Sequence, residues 1–145
     1  MHLIFLLFIF LITPQSVPTT ENPNVEVTIE GIRSEEGFIQ IGTFRDNESF
    51  EESNAERELV FSKKGLKGGM LKVTLELKPG RCGISVLDDE NGDGKMEYNF
   101  IGIPREGFGF SDYYHTGFSR PVLDDFDLDI PASGMIKVRV KMRYM

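Results

Sequence analysis

The fold class of this chain is decided by the stretch LKVTLELKPGRCGISVLDD, residues 71–89. In its first half, apolar and polar residues alternate with the period of two that is typical of a strand with one buried face. Pro79 and Gly80 then predict a tight turn, because proline fixes its own φ and glycine adopts a positive φ without steric cost. The alternation resumes in the second half. The stretch therefore predicts two β-strands joined by a turn.

The same alternation recurs in other segments of the chain. Residues 25–30 and 38–44 predict two strands that form a hairpin, and residues 126–130 and 136–142 predict two more. A helical period is almost absent. About seven short strands separated by Gly/Pro turns predict an all-β fold, a single antiparallel β-sandwich of the prealbumin or immunoglobulin type with a long irregular aromatic-rich loop.

Two segments are predicted along the 145 residues: a signal peptide or N-terminal apolar segment at 1–20, and a single β-sandwich domain at 21–145. The apolar run from Leu3 to Ile12 is too short to span a bilayer and suits a secretory signal. A membrane anchor or a buried strand is the alternative. We expect an exported protein, periplasmic, cell-surface or extracellular, with no stable membrane insertion after signal cleavage.

The charge balance argues against a nucleic-acid partner. The chain has 16 basic and 23 acidic residues, and its formal net charge of −7 repels polyanions. The one cysteine, Cys82, excludes an intrachain disulfide. Because it lies in an alternating strand, we expect it to be a small buried apolar residue rather than a reactive thiol.

An acidic loop, LDDENGDGKMEYNF, follows the predicted strand at residues 87–100. Its pattern D-x-N-x-D-G matches the first six positions of the calcium loop of EF-hands, where alternate oxygens converge on one ion and the sixth position needs glycine. Position 7 contributes a main-chain carbonyl and position 9 a side chain. The predicted Ca²⁺ ligands are Asp89, Asn91, Asp93, the carbonyl of Lys95, and Glu97.

A standard EF-hand is excluded, because Phe100 stands where the bidentate glutamate is required and a strand, not a helix, enters the loop. A missing ligand would come from water or from an acid elsewhere, with Asp112, Asp124 and Asp125 as the candidates. The alternative is a plain hairpin turn, since Asn-Gly and Asp-Gly are favoured turn pairs. Five carboxylates within residues 88–97 would repel one another without a cation. We expect a structural calcium site of weak affinity, with Kd roughly 10⁻⁴ to 10⁻³ M.

An aromatic and glycine-rich stretch, FIGIPREGFGFSDYYHTGFSRP, covers residues 100–121 and has no regular period. Long irregular loops at the end of a sandwich often bind a partner, because the sheets hold them in place. The alternative is that its aromatic side chains fill the open end of the sandwich as a second core. These side chains are Phe108, Phe110, Tyr113, Tyr114 and Phe118.

The run KPGRCGISVLDDENGDGKMEYNFIGIPREGFGFS, residues 78–111, resembles an uncharacterised secreted bacterial family, the domain of unknown function family 2141. The likeness lies in the Pro-Gly turn, the acidic Asn-Gly loop, the Gly-Ile-Pro segment and the Gly-Phe-Gly-Phe-Ser segment. Two positions depart from the pattern: Cys82 replaces an aromatic residue, and Asp88 replaces a frequent histidine. The resemblance implies an exported, β-rich domain, and it supplies no activity.

A catalytic function has weak support in the sequence. Ser111 is not in a G-x-S-x-G elbow, and nothing fixes the separation of the acidic residues. The main hypothesis is therefore a non-enzymatic cell-envelope binding or accessory module with a protein or glycan partner and a calcium-stabilised loop. The alternatives are a hydrolase acting through Glu106, Asp112 or His115, and a purely structural domain without an ion.

Overall fold

The computed structural model describes residues 24–145, and the alternating segments within them form eight strands and two short helical segments. None of the helical segments described is both long and apolar enough to span a bilayer. The segment predicted as a signal, residues 1–20, lies outside the described residues. The strands are β1 (Val25–Glu30), β2 (Phe38–Phe44), β3 (Arg57–Ser62), β4 (Met70–Leu75), β5 (Gly80–Asp89), β6 (Gly107–Phe110), β7 (Asp127–Ile130) and β8 (Ile136–Lys141). Helix α1 covers Asn47–Glu51, and a 3₁₀ helix covers Leu123–Asp125.

The strands form two sheets whose apolar faces meet in one core. The smaller sheet has the order β4-β1-β8, and the larger has the order β3-β2-β5, with β6 and β7 both pairing with β5. Strand β7 pairs with the first half of β5, and β6 pairs with the second half. Alternate side chains of both sheets are buried in the shared core, including Val25, Val27 and Ile29 of β1 and Ile39 and Ile41 of β2. This arrangement confirms the all-β sandwich.

Two pairings differ from the expectations. Strand β1 lies parallel to β8, with Val27 opposite Val138, although every other ladder within the described sheets is antiparallel. The predicted hairpin between residues 25–30 and 38–44 is wrong, because β1 and β2 lie in different sheets. The alternation of a strand shows which face is buried, but it does not identify the neighbouring strand. The Pro79-Gly80 turn also joins two different sheets, because it lies between β4 of the smaller sheet and β5 of the larger one.

A second apolar cluster covers part of the outer face of the larger sheet. Phe50 of α1 packs edge-on against Phe44 and Phe126, with ring centroids 5.1 and 5.0 Å apart. Gly83 on β5 permits this covering, since a Cβ there would lie inside 3.0 Å of Leu123. The cluster's buried members are Phe44, Phe50, Phe110, Leu123 and Phe126.

Some aromatic side chains of the aromatic-rich stretch are buried in a second core, and others are exposed. Phe110 is buried in the second cluster, and Phe108 and Tyr113 are partly buried against it. These three side chains extend the apolar core, as one interpretation predicted. Tyr114 and Phe118 are exposed instead, at 46% and 89%. They remain available for contact with a partner.

Candidate functional site

The acidic loop connects β5 to β6, which pair as antiparallel neighbours with Asp88 opposite Gly107. Asp89 ends β5 and is 3% exposed. Its carboxylate accepts the Asp93 N–H at 3.1 Å through Oδ1 and the Gly94 N–H at 2.9 Å through Oδ2. The loop backbone thus turns back around Asp89. Gly94 has φ +77°, a conformation that glycine adopts without steric cost.

The other predicted ligand residues lie in the same small network. Asn91 Nδ2 donates to Asp93 Oδ2 at 3.3 Å and to Glu97 Oε1 at 2.9 Å. Asn91 Oδ1 accepts the Asp93 N–H at 3.1 Å. Lys95 takes part through its main-chain N–H, which donates to Asp93 Oδ1 at 2.9 Å. Asn91 therefore connects the side chains of Asp93 and Glu97 through hydrogen bonds.

Glu106, which precedes β6, adds a third carboxylate to Asp89 and Asp93. One oxygen from each of these three residues, the acidic triad, lies within 4.8 Å of the others. Glu106 is 4% exposed and accepts the N–H groups of Glu90 at 3.1 Å and Glu97 at 3.4 Å. Burial raises the pKa of Glu106, and the charge of Asp89 acts in the same direction. The main-chain hydrogen bonds oppose this shift.

The other acids considered as extra ligands lie elsewhere. Asp112 Oδ1 accepts the Arg139 N–H, and Asp124 pairs with Arg81. Asp125 Oδ2 accepts the N–H of Val122 at the start of the 3₁₀ helix. The acid that does lie against the loop is Glu106, which is the first acidic residue after Glu97 in the sequence.

The register of the β5–β6 pair explains the position of Glu106. With Gly107 opposite Asp88, the preceding residue falls beside Asp89. Sequence reasoning considered Glu106 only as a catalytic acid. The structure places it against the loop because β6 pairs with the end of β5.

A buried polar network fixes β5 just before the loop. Lys63 Nζ lies 2.5 Å from Asp88 Oδ1, and both side chains are fully buried. The Tyr144 hydroxyl donates to Asp88 Oδ2 at 2.6 Å. Burial and this hydrogen bond raise the pKa of Tyr144. Asp88 points away from the loop and satisfies two groups from distant parts of the chain, which makes it a structural residue.

Glu90, the residue directly after β5, is held by an ion pair at the surface. Arg33 donates through Nε and Nη2 to the two carboxylate oxygens of Glu90, at 2.8 and 2.7 Å. Ser34 also donates to Glu90, at 3.0 Å. The hydrogen bond from Arg33 lowers the pKa of Glu90. These contacts connect the loop to the segment between β1 and β2.

An open groove of about 320 Å³ lies on the outer face of the larger sheet, beside the second apolar cluster. We call it the outer groove. Its floor includes Gln40, Gly42, Ser85 and Leu87 of the two central strands. Its walls come from two segments of the chain. Met96, Tyr98 and Pro104 lie in the connection between β5 and β6, and His115, Phe118 and Arg120 lie in the segment after β6.

The hydrolase candidates are not assembled into one site. Glu106 contacts main-chain groups of the acidic loop, and Asp112 contacts β8. The ring nitrogens of His115 contact Ser119 O and Tyr113 OH, at 2.5 and 3.3 Å. In the described part of the chain, no hydrogen bond joins any two of Glu106, Asp112 and His115. Only His115 lines the outer groove.

A family model described as an uncharacterised protein conserved in bacteria, the domain of unknown function family 2141, matches residues 27–138. The chain belongs to this family. The match runs from β1 to β8 and includes the acidic loop and Glu106. No curated protein and no solved structure gives a significant match. The resemblance to family 2141 is thereby confirmed.

Two residues that depart from the expected pattern of family 2141 are both buried. Asp88, which replaces a frequent histidine, forms the buried ion pair with Lys63 and so has a structural role in this chain. Cys82 is fully buried with a free thiol, and burial raises its pKa. The prediction that Cys82 is a small buried residue is confirmed.

Proposed function

We propose that this chain is an exported, non-enzymatic binding or accessory module of the cell envelope, with a structural Ca²⁺ ion in its acidic loop. The observation that carries the calcium part is the acidic triad. Two of its three carboxylates, those of Asp89 and Glu106, are buried, and they come from opposite sides of the β5–β6 hairpin. Buried like charges at this separation destabilise the fold unless a proton or a cation offsets them.

Calcium is the cation that suits this set of groups. Ca²⁺ prefers six to eight oxygen ligands and tolerates irregular loops, whereas Mg²⁺ needs a near-ideal octahedron. The triad would supply three carboxylates. The remaining oxygens would come from Asn91, Glu97, the Lys95 carbonyl and water. The bidentate glutamate of an EF-hand is absent, so we expect weak binding, with Kd about 10⁻⁴ to 10⁻³ M.

The proposed role of the ion is structural because of where the triad lies. Asp89 is the last residue of β5 and Glu106 directly precedes β6, so an ion between them would fix the two ends of the β5–β6 connection together. The intervening residues include Tyr98 and Pro104, which line the outer groove and form a bridge with each other. An ion at the triad would therefore support one wall of the groove, and the groove is the surface suited to binding.

Thermal melting in excess Ca²⁺ and in EDTA tests the calcium part. At about 10 mM Ca²⁺, ten to a hundred times the expected Kd, the stabilisation would be about 1.4–2.7 kcal/mol, or roughly 5–10 °C in Tm. Asp89→Asn should abolish the shift, while Asp112→Asn, in an acid outside the triad, should retain it. Identical midpoints of the unaltered chain in Ca²⁺ and EDTA would refute the calcium loop.

Export has a separate test. When the chain is expressed with its own N-terminus in a bacterial host, we expect the periplasmic or extracellular product to lack about the first 20 residues. N-terminal sequencing of the fractionated protein measures this. A full-length product retained in the cytoplasm would contradict export and would leave the calcium test unaffected.

A further inference from the structure

We infer that the outer groove binds a neutral oligosaccharide, an inference that rests on the proposed binding role and names its ligand class. The groove is not a purely apolar surface. Its floor combines an amide, a hydroxyl and a carboxylate, and its walls carry aromatic rings. At about 320 Å³ it lies within the usual size range of small-ligand pockets, roughly 300–1,000 Å³.

The register of the larger sheet brings the three polar side chains onto one floor. Gly42 is paired with Glu58 on one side and Ser85 on the other, and Gln40 is paired with Leu87. Paired residues project from the same face, and neighbouring strands are about 4.8 Å apart. The Glu58 and Ser85 positions, two strands apart, therefore lie about 10 Å from each other across the central glycine.

The polar groups on this floor are available to a ligand. Within residues 24–145, neither the Gln40 amide nor the Ser85 hydroxyl forms a hydrogen bond to another side chain or peptide group, and Glu58 is exposed without an ion pair. Each hydroxyl of a sugar both donates and accepts a hydrogen bond. Vicinal hydroxyls can therefore donate to Glu58 and exchange hydrogen bonds with Gln40 and Ser85.

The charges around the groove favour a neutral ligand over an anion. Arg120 lines the groove, but its guanidinium donates to the carbonyls of Phe50 and Glu51 and lies 4.2 Å from the Phe50 ring centroid. His115 contacts Ser119 O through Nε2. Among the described lining residues, Glu58 is the charged side chain without such a partner, and it would repel phosphate or carboxylate.

The aromatic walls supply the apolar half of sugar recognition. Tyr98 is 60% exposed and Phe118 is 89% exposed, both line the groove, and Phe108 lies on its floor. Aromatic faces have negative quadrupoles, which attract the C–H face of a sugar ring while the hydroxyls point elsewhere. Such large exposed side chains around one groove are typical of an interaction site.

The test is a microarray of bacterial-surface and plant oligosaccharides, followed by calorimetric titration of the free sugar that binds best. We expect saturable binding to at least one neutral oligosaccharide. Gln40→Ala and Ser85→Ala should each weaken it about 5- to 20-fold by removing hydrogen bonds. Phe118→Ser should weaken it about tenfold or more by removing a wall.

Phe100→Ser is the matched control, because Phe100 is 99% exposed and lies outside the outer groove. It should bind the sugar with unchanged affinity. If no neutral glycan binds, or if peptide or anionic ligands bind in its place, the inference is wrong. Equal loss of affinity in Phe118→Ser and Phe100→Ser would also refute it.

Repeating the titration in Ca²⁺ and in EDTA separates this inference from the calcium proposal. Sugar binding without any effect of Ca²⁺ on Tm or affinity would refute the ion and retain the glycan site. A calcium-dependent Tm with no glycan binding would support the ion and refute the glycan site. If both fail while a peptide ligand binds at the groove, the binding role survives with a different ligand class.

Discussion

Lys63 and Asp88 form an ion pair in which neither side chain is exposed to solvent, with Nζ 2.5 Å from Oδ1. The pair joins the end of β3 to the end of β5, directly before the acidic loop. Tyr144 donates to the second carboxylate oxygen. Because Lys63 contacts one oxygen of Asp88 and Tyr144 donates to the other, the buried carboxylate keeps a defined orientation.

Replacing one partner of this pair should destabilise the fold strongly. Lys63→Met leaves the Asp88 charge buried without its cation, which costs about 3–5 kcal/mol. Urea denaturation measures the loss. Lys63→Met combined with Asp88→Asn should recover much of it, since the buried charge is then absent. Lys72→Met, which breaks the exposed pair with Glu26, should cost less than about 1 kcal/mol. Equal losses for Lys63→Met and Lys72→Met would contradict the buried pair.

Gly83 should not tolerate a side chain. A Cβ at this position would lie inside 3.0 Å of Leu123 Cδ1 and Phe126 Cε2, both in the second apolar cluster. We expect Gly83→Ala to cost about 1–3 kcal/mol through overpacking. Gly42 is the control on the neighbouring strand. A Cβ added there would lie 3.1 Å from Phe44 Cε2, so Gly42→Ala should cost less stability than Gly83→Ala. Denaturant midpoints measure both, and a harmless Gly83→Ala would contradict the packing.

Cys82 should be unreactive in the folded protein. Its side chain is fully buried, and burial raises the pKa of the thiol, so little thiolate is present at neutral pH. A thiol reagent at pH 7 should label the native chain at least 100-fold more slowly than the chain in about 6 M urea. Rapid labelling without denaturant would show that the core opens around β5.

The stabilisation by Ca²⁺ should depend on pH through Glu106. Burial raises the pKa of this carboxyl above its usual 4.5, so the folded chain holds the proton more tightly than the unfolded chain. Without Ca²⁺, the contribution of this proton to stability is complete below about pH 4.5 and is lost as the pH rises through the raised pKa.

Because Ca²⁺ competes with this proton, the difference in Tm between Ca²⁺ and EDTA should be smallest near pH 4 and largest near about pH 7. Glu106→Gln, which mimics the neutral acid, should reduce the difference at pH 7 and remove most of its dependence on pH. Melting curves between these two pH values measure it. A difference that is the same at every pH would exclude Glu106 as a ligand.

Local patterns predicted much of the fold, because the alternation that marks each strand reflects its own burial. The neighbours of each strand were not predictable in this way. The parallel pair joins β1 and β8, the first and last strands described, and nothing in either segment indicates the other. The hairpin assumed between β1 and β2 failed for the same reason, since proximity in sequence does not determine which sheet a strand joins.

The candidate site also combines residues that a local pattern predicts with residues that only the three-dimensional pairing brings together. The loop from Asp89 to Glu97 was predicted as a calcium site because its oxygen-bearing residues alternate within one short segment of the sequence. Glu106 was not recognised as part of it, since its position depends on the β5–β6 register. The buried role of Lys63 had no sequence signal, because a lysine beside a second lysine and a glycine is typical of an exposed turn. The outer groove likewise depends on packing between distant segments.

Direct titration of the β-sandwich domain with Ca²⁺ by isothermal calorimetry tests the calcium loop most directly. We expect one ion per chain with Kd about 10⁻⁴ to 10⁻³ M, and an affinity at least about tenfold weaker in both Asp89→Asn and Glu106→Gln. Asp112→Asn should bind as the unaltered chain does. No saturable binding by the unaltered chain, or the same affinity in Glu106→Gln, would contradict the proposed site.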